Sequence, residues 1–127
     1  MNVELTRQIV IDVLEELKAR DIVTLDVRRF NSLFDYMIVA SAESTRQTRA
    51  FVHHVHDRLL EVGARVHGVE GETTGEWVLV DLGEVVVHVM QPAVRAYYNL
   101  EQLWGGPGAT APVRRPTTPA SLQPGAA

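Results

Sequence analysis

The sequence predicts an α/β chain of α+β character, a mixed five-stranded sheet packed with about three helices. Two observations carry that expectation. Stretches with apolar residues at helical spacing and stretches that read as strands interleave in the order α-β-β-α-β-β-β-α. Only one pair of strands is joined tightly enough for a simple hairpin. The other strands need crossovers, which mixes strand directions.

Each element has its own signal. Over residues 3–19, Leu5, Ile9, Val13 and Leu17 recur every fourth position with Val10 and Leu14 beside them, a broad core-facing stripe. Glu4 at the start and Lys18 and Arg20 at the end suit the helix dipole. Residues 21–27 alternate as a strand, and 28–34 read as a loop with turn chemistry at Asn31-Ser32. DYMIVAS, 35–41, is the near-continuous apolar run of a strand covered on both faces. Ser44 and Gln47 form a capping box opening a helix over 45–62, with Val52, Val55, Leu59 and Val62 buried. Gly63 stands where a left-handed residue ends such a helix. Residues 64–69 make a third strand, 70–75 a loop and 76–90 a hairpin. Pro92 fits a first helical position and opens a last helix to about Trp104.

The hairpin, GEWVLVDLGEVVVHVM, holds the most suggestive side chains. A type I turn with Gly83 left-handed would close a bulged hairpin across Val80-Asp81-Leu82-Gly83. A type I′ turn on Leu82-Gly83 would force positive φ on Leu82, at roughly 1–2 kcal/mol. The bulged form is the expectation. It sets Val80 opposite Glu84, Trp77 opposite Val87 and Glu76 opposite His88. Trp77 then joins the apolar face with Leu79, Val85, Val87 and Val89, and His88 pairs with Glu76 on the other. A one-residue slip would move Trp77 to the face of His88.

Composition narrows the function classes. The chain has no cysteine, which removes disulfides, thiol catalysis and thiolate metal sites and suits a reducing cytoplasm. No apolar run reaches membrane-spanning length, and the first residues lack the pattern of a signal peptide. Residues 105–127 hold five of the six prolines and no aromatic residue, as expected of a disordered tail following a single domain over 1–104. Of the twelve basic residues, only Arg114 and Arg115 lie in that tail, leaving ten basic against sixteen acidic side chains in the body. That sign argues against a nucleic-acid-binding body. Between Glu70 and Glu84 lie five acids (with Glu72, Glu76 and Asp81) and no base, which would attract a basic partner.

Searches for catalytic sets fail in turn. His53, His56 and Asp57 share a helix face but lack further ligands and the H-E-x-x-H pattern, so no metal is expected. Nucleotidyl transfer needs paired carboxylates on a strand, and the sole such spacing, Glu70-Gly71-Glu72, falls in a loop. Asp35 and Asp81 stand singly. Among the hydroxyls Ser32, Ser41 and Ser44, the last is used as a cap, and His88 has no assured acid partner for nucleophilic work. Tyr97, Leu100 and Trp104 share one side of the last helix, with Val94 and Tyr98 next to it. Such a set reads as core or as interface anchors.

Several motifs together resemble the ribosomal silencing factor (RsfS, or Iojap) family. They are Asp35-Tyr36 before an apolar strand, Ser44-x-Arg46, Glu70-Gly71, the Gly75-x-Trp77-x-Leu79-x-Asp81-x-Gly83-Glu84-Val85-x-Val87-His88 hairpin and Tyr98-x-Leu100-Glu101-x-Leu103-Trp104. The resemblance spans about residues 5–104. It implies a nucleotidyltransferase-like fold without the catalytic set, and no cofactor. It further implies a cytoplasmic translation repressor, not an enzyme, that binds the basic fourteenth protein of the large ribosomal subunit. Binding there would block the small subunit from joining, with no direct need for nucleic acid and with a homodimer as a possible free form. Carried over by position, Trp77, Asp81, Leu82, Glu84, His88 and Tyr98 are the expected partner-binding residues. A nucleotidyltransferase-like enzyme and a general homodimeric interaction module stay open as alternatives.

Overall fold

In the computed structural model, residues 2–99 are described. The elements run α1 (Val3–Glu16), β1 (Arg20–Asp26), β2 (Tyr36–Ser41), α2 (Thr45–Glu61), β3 (Gly68–Glu70), β4 (Trp77–Asp81), β5 (Val85–Met90) and α3 (Pro92–Tyr98). The order and types are those read from the sequence. The sheet runs β1-β2-β5-β4-β3, with β2 and β5 parallel and every other pair antiparallel. The β2–β5 crossover is what makes the sheet mixed.

Local chemistry fixes the helix ends. Asn2 Oδ1 accepts from Glu4 N–H at 2.7 Å and caps α1. Ser44 Oγ accepts from Gln47 N–H at 3.2 Å and caps α2. Gln47 reaches back one residue further than a standard box, accepting from Glu43 N–H at 2.6 Å. Both helices close in the same way. Ala64 N–H donates to Leu59 C=O at 2.9 Å around Gly63, whose φ is +76°. Ala19 N–H donates to Leu14 C=O at 2.9 Å around Lys18, whose φ is +61°. That left-handed Lys18 ends α1 at Glu16, where apolar spacing alone extends the helix to 19. The last helix is described through Tyr98 and closes on left-handed Asn99. Its expected continuation to Trp104, and the tail 105–127, lie outside the described residues.

The two faces of the sheet bury separate clusters. On one, Ile38, Val78, Val80, Val85, Val87 and Val89 pack with Ile9, Val10, Val13 and Leu14 of α1 and Phe51, Val55 and Leu59 of α2. On the other, Leu25, Val27, Met37, Val39 and Met90 pack with Val94 of α3. β2 is buried at every position, as the run DYMIVAS requires. Two expected core positions turn outward, Leu5 at 43% exposure and Val62 at 46%. Thr6 of α1 and Thr48 and Phe51 of α2 are buried instead. The third strand is shorter than expected, because only Gly68, Val69 and Glu70 pair with β4.

Candidate functional site

The hairpin takes a register that neither turn reading anticipates. Trp77 pairs with Met90, Leu79 with His88 and Asp81 with Val86. Leu82 N–H donates to Val85 C=O at 2.9 Å, so the connection is a two-residue turn on Gly83-Glu84. Gly83 has φ +91° at the first central position and Glu84 has no positive φ, the pattern of a type II′ turn. This placement puts the glycine of the turn where positive φ is needed, and Asp81 Oδ1 accepts from Gly83 N–H at 2.8 Å to hold it. The His67 ring covers the glycine, 3.0 Å from where a Cβ would stand.

The face assignment changes accordingly. Val78, Val80, Val85, Val87 and Val89 point to α1 and α2. Trp77 and His88 share the opposite face, and Trp77 Nε1–H donates to His88 Nδ1 at 2.9 Å. The expected pairing of His88 with Glu76 does not form. Glu76 is exposed, and its carbonyl accepts from Gln91 N–H at 2.9 Å. His88 is half-buried as a residue, but desolvation of its ring pushes the pKa down to about 4. It is a neutral acceptor at physiological pH, and neither a general base near pH 7 nor a cation.

The other expected site residues separate by exposure. Asp81 and Glu84 are exposed at the turn. Leu82 is buried in the core cluster under α2 and offers little surface to a partner. Tyr98 lies in α3, and its side chain falls outside the described residues. Leu79, a motif residue expected beside Trp77, and Val86, which the motif skips, are half-buried on the Trp77 face. Beside the turn, Thr6, Leu59, Ala64, Arg65, His67 and Glu84 line a cleft of about 310 Å³.

The acidic loop before β4 is latched to α2, which sequence spacing does not reveal. Arg49 donates to Glu72 C=O at 3.0 Å and to Thr73 C=O at 2.5 Å. Thr45 Oγ1–H donates to Thr74 C=O at 3.3 Å, and buried Thr48 reaches Gly75 C=O at 2.9 Å. Four successive carbonyls are thus held by one helix. Glu70 and Glu76 flank the latched segment and are exposed.

Catalytic sets do not assemble among the described residues. No group of three or more His, Asp or Glu side chains could hold a metal ion there. His53, His54 and His56 are exposed on α2, with His56 at 3.5 Å from Asp57. Ser44 caps α2, and Ser41 Oγ accepts from Arg95 at 2.9 Å. No helix among the described residues is long and apolar enough to cross a membrane.

Comparison with known proteins agrees with this architecture. The family model described as "ribosomal silencing factor during starvation" matches residues 2–124. A ribosomal silencing factor RsfS of Chromobacterium violaceum is 49% identical over 106 residues, covering 84% of this chain and 87% of that protein. The RsfS of Bacillus subtilis is 41% identical over 91 residues, covering 72% and 77%. A crystal structure of a Chromobacterium violaceum protein superposes with a TM-score of 0.80 at 46% identity, covering 91% of this chain and 96% of that one.

Proposed function

The chain belongs to the ribosomal silencing factor family, and from that premise we propose that it represses translation by binding the large ribosomal subunit. In this reading the docking partner is the subunit's basic fourteenth protein, and the bound factor blocks the small subunit sterically. The protein acts in the cytoplasm as a regulator and carries out no catalysis.

The observation that carries the reading is the distribution of carboxylates around β4. Glu70, Glu76, Asp81 and Glu84 are all exposed, and the turn and the latched loop hold their backbones in fixed positions. Leu79 and Val86, half-buried on the adjoining sheet face, supply apolar area beside them. A preformed acidic rim next to a modest apolar patch suits a basic protein surface, with the charges speeding encounter and excluding wrong partners.

Co-sedimentation with purified large subunits tests the proposal. The protein is expected to pellet with them at moderate salt and to inhibit joining of small subunits. Asp81→Asn with Glu84→Gln keeps the acceptor for Gly83 N–H while removing both charges, and should weaken binding. A protein that stays in the supernatant, or that pellets while subunits still join, would overturn it. Magnesium-dependent turnover of nucleoside triphosphates would favour an enzyme instead.

A further inference from the structure

We propose that Phe30 and Leu33, in the loop between β1 and β2, are the apolar anchors that seat the basic subunit protein beside the acidic turn. The inference deepens the ribosomal reading above and rests on it. Leu33 is the most exposed large apolar side chain among the described residues, at 83%, and Phe30 stands at 55%. Single apolar residues on a surface need no partner, but these two share one loop whose backbone is tied down. Asn31 Oδ1 accepts from Leu33 N–H at 2.8 Å and Phe34 N–H at 3.1 Å, and Asn31 Nδ2 donates to Val27 C=O at 3.1 Å. Phe30 N–H also donates to Val27 C=O, at 3.0 Å, and Val27 N–H to Asp35 C=O at 3.0 Å. A loop already ordered in this way loses little freedom when a partner covers it.

The loop is continuous with the acidic rim. Asp35 N–H and Tyr36 N–H both donate to Glu84 C=O, at 2.8 and 3.1 Å. Phe34, directly after Leu33, packs on the sheet cluster that Trp77 also joins. The loop therefore stands at the end of the sheet where the β4–β5 turn lies. Charge then selects the occupant. Arg28 and Arg29 are balanced by Asp26 and Asp35, so the apolar pair sits in a neutral setting. Arg28 contacts Asp26 at two points, 2.9 and 2.5 Å apart. The adjoining turn, residues 81–84, adds two carboxylates and no base. The joint surface is a neutral apolar patch with an acidic border, the layout of an interface with an apolar core and a charged rim. A basic protein suits both parts. Nucleic acid is repelled by the border, and a second copy of the chain would bring the same carboxylates against themselves. The two parts divide the work, since border charges govern encounter and salt dependence while buried apolar anchors govern how long the complex lasts.

The test measures binding kinetics of Leu33→Ala and Phe30→Ala in the full chain, on purified large subunits and on the isolated basic subunit protein. Both side chains are exposed, so the fold should survive, which circular dichroism checks. Each variant should dissociate about tenfold faster from both targets, with the association rate and its salt dependence unchanged. Asp81→Asn with Glu84→Gln should do the reverse, slowing association and flattening the salt dependence. Wild-type kinetics in both loop variants would overturn the proposal. Faster dissociation from subunits alone, with the isolated protein held as before, would give the loop to another subunit component and overturn it as well. Weakened self-association by light scattering, with both targets bound normally, would assign the loop to a second copy and reject it too. A wild type that does not bind the isolated protein would sink the parent reading, and this one with it.

Discussion

Trp77 and His88 are joined diagonally across the β4–β5 hairpin, indole Nε1–H to imidazole Nδ1 at 2.9 Å. The bond requires a lone pair on Nδ1, so the one ring proton of the neutral imidazole sits on Nε2. Burial opposes a second proton and places the pKa at about 4. An unfolded histidine titrates near 6.5. The consequence has a definite sign. Above about pH 6.5 neither state is protonated at this site, and folding is unaffected by pH there. As pH falls from about 6.5 towards 4, the unfolded chain takes up a proton that the native state refuses, and stability drops. The full loss is on the order of 3 kcal/mol.

Urea melts from pH 4 to 8 should therefore show stability declining on the acid side of 6.5. His88→Asn retains an acceptor for the indole and does not titrate, so its decline should be shallower. An identical pH profile in the variant would assign the acid sensitivity to other groups.

Trp77→Phe keeps most of the ring and removes the donor. His88 Nδ1, in a desolvated position, then loses its partner, and the cost should be about 1–3 kcal/mol. A double-mutant cycle with His88→Phe separates the bond from the packing, and a coupling near zero would show that the contact contributes nothing.

Gly71 precedes Trp77 through the latched loop, with φ +85° and the Trp77 carbonyl oxygen 1.9 Å from where a Cβ would be. Alanine there meets both a strained backbone and a rigid obstacle. Gly71→Ala should destabilise by more than about 2 kcal/mol and shift the amide signals of β4. A stability change within experimental scatter would mean that the loop relaxes freely, contrary to the latch.

What could be read from the sequence, and what could not, follows from which signals are local. Ser44, Gly63 and Pro92 marked helix ends because each acts within one turn of itself. Lys18 broke α1 in the same geometry as Gly63, yet lysine carries no left-handed preference, so the end was invisible. The hairpin shows the sharper limit. Its strands were evident from their valines, but both strands are rich enough in apolar residues that either face could be turned to the helices. Register was then decided by where Gly83 sits in the turn and by what α1 and α2 accept on their side. Phe51 was passed over as core because histidines and arginines surround it in sequence, although it lies one turn from Val55 on the inner side of α2. The candidate site was legible as a set of acids, whereas Arg49 and Thr48, which fix the acidic loop through residues more than twenty positions away, left no local trace.

Phe51 is among the largest fully buried side chains, at 1% exposure beneath the sheet. Phe51→Ala should cost about 3–5 kcal/mol, because the removed ring leaves a cavity between α2 and the strands. Chemical denaturation measures this, and a loss below about 1 kcal/mol would contradict its place in the core.

Thr48 sets the final expectation. Its hydroxyl is fully buried, with Gly75 C=O at 2.9 Å and Thr45 C=O at 2.8 Å competing for one proton. The helix carbonyl is a local partner that many threonines find, so the tie to Gly75 is the bond that matters for the loop. Gln91 also reaches Gly75 C=O, at 3.3 Å, so the carbonyl keeps one donor when the hydroxyl goes. Thr48→Val should then cost only about 1 kcal/mol in global stability. Its larger effect should be local, with faster hydrogen exchange across residues 71–76 and weaker binding to large subunits at unchanged net charge. Unaltered exchange in that segment would show that Arg49 and Thr45 hold the loop without Thr48.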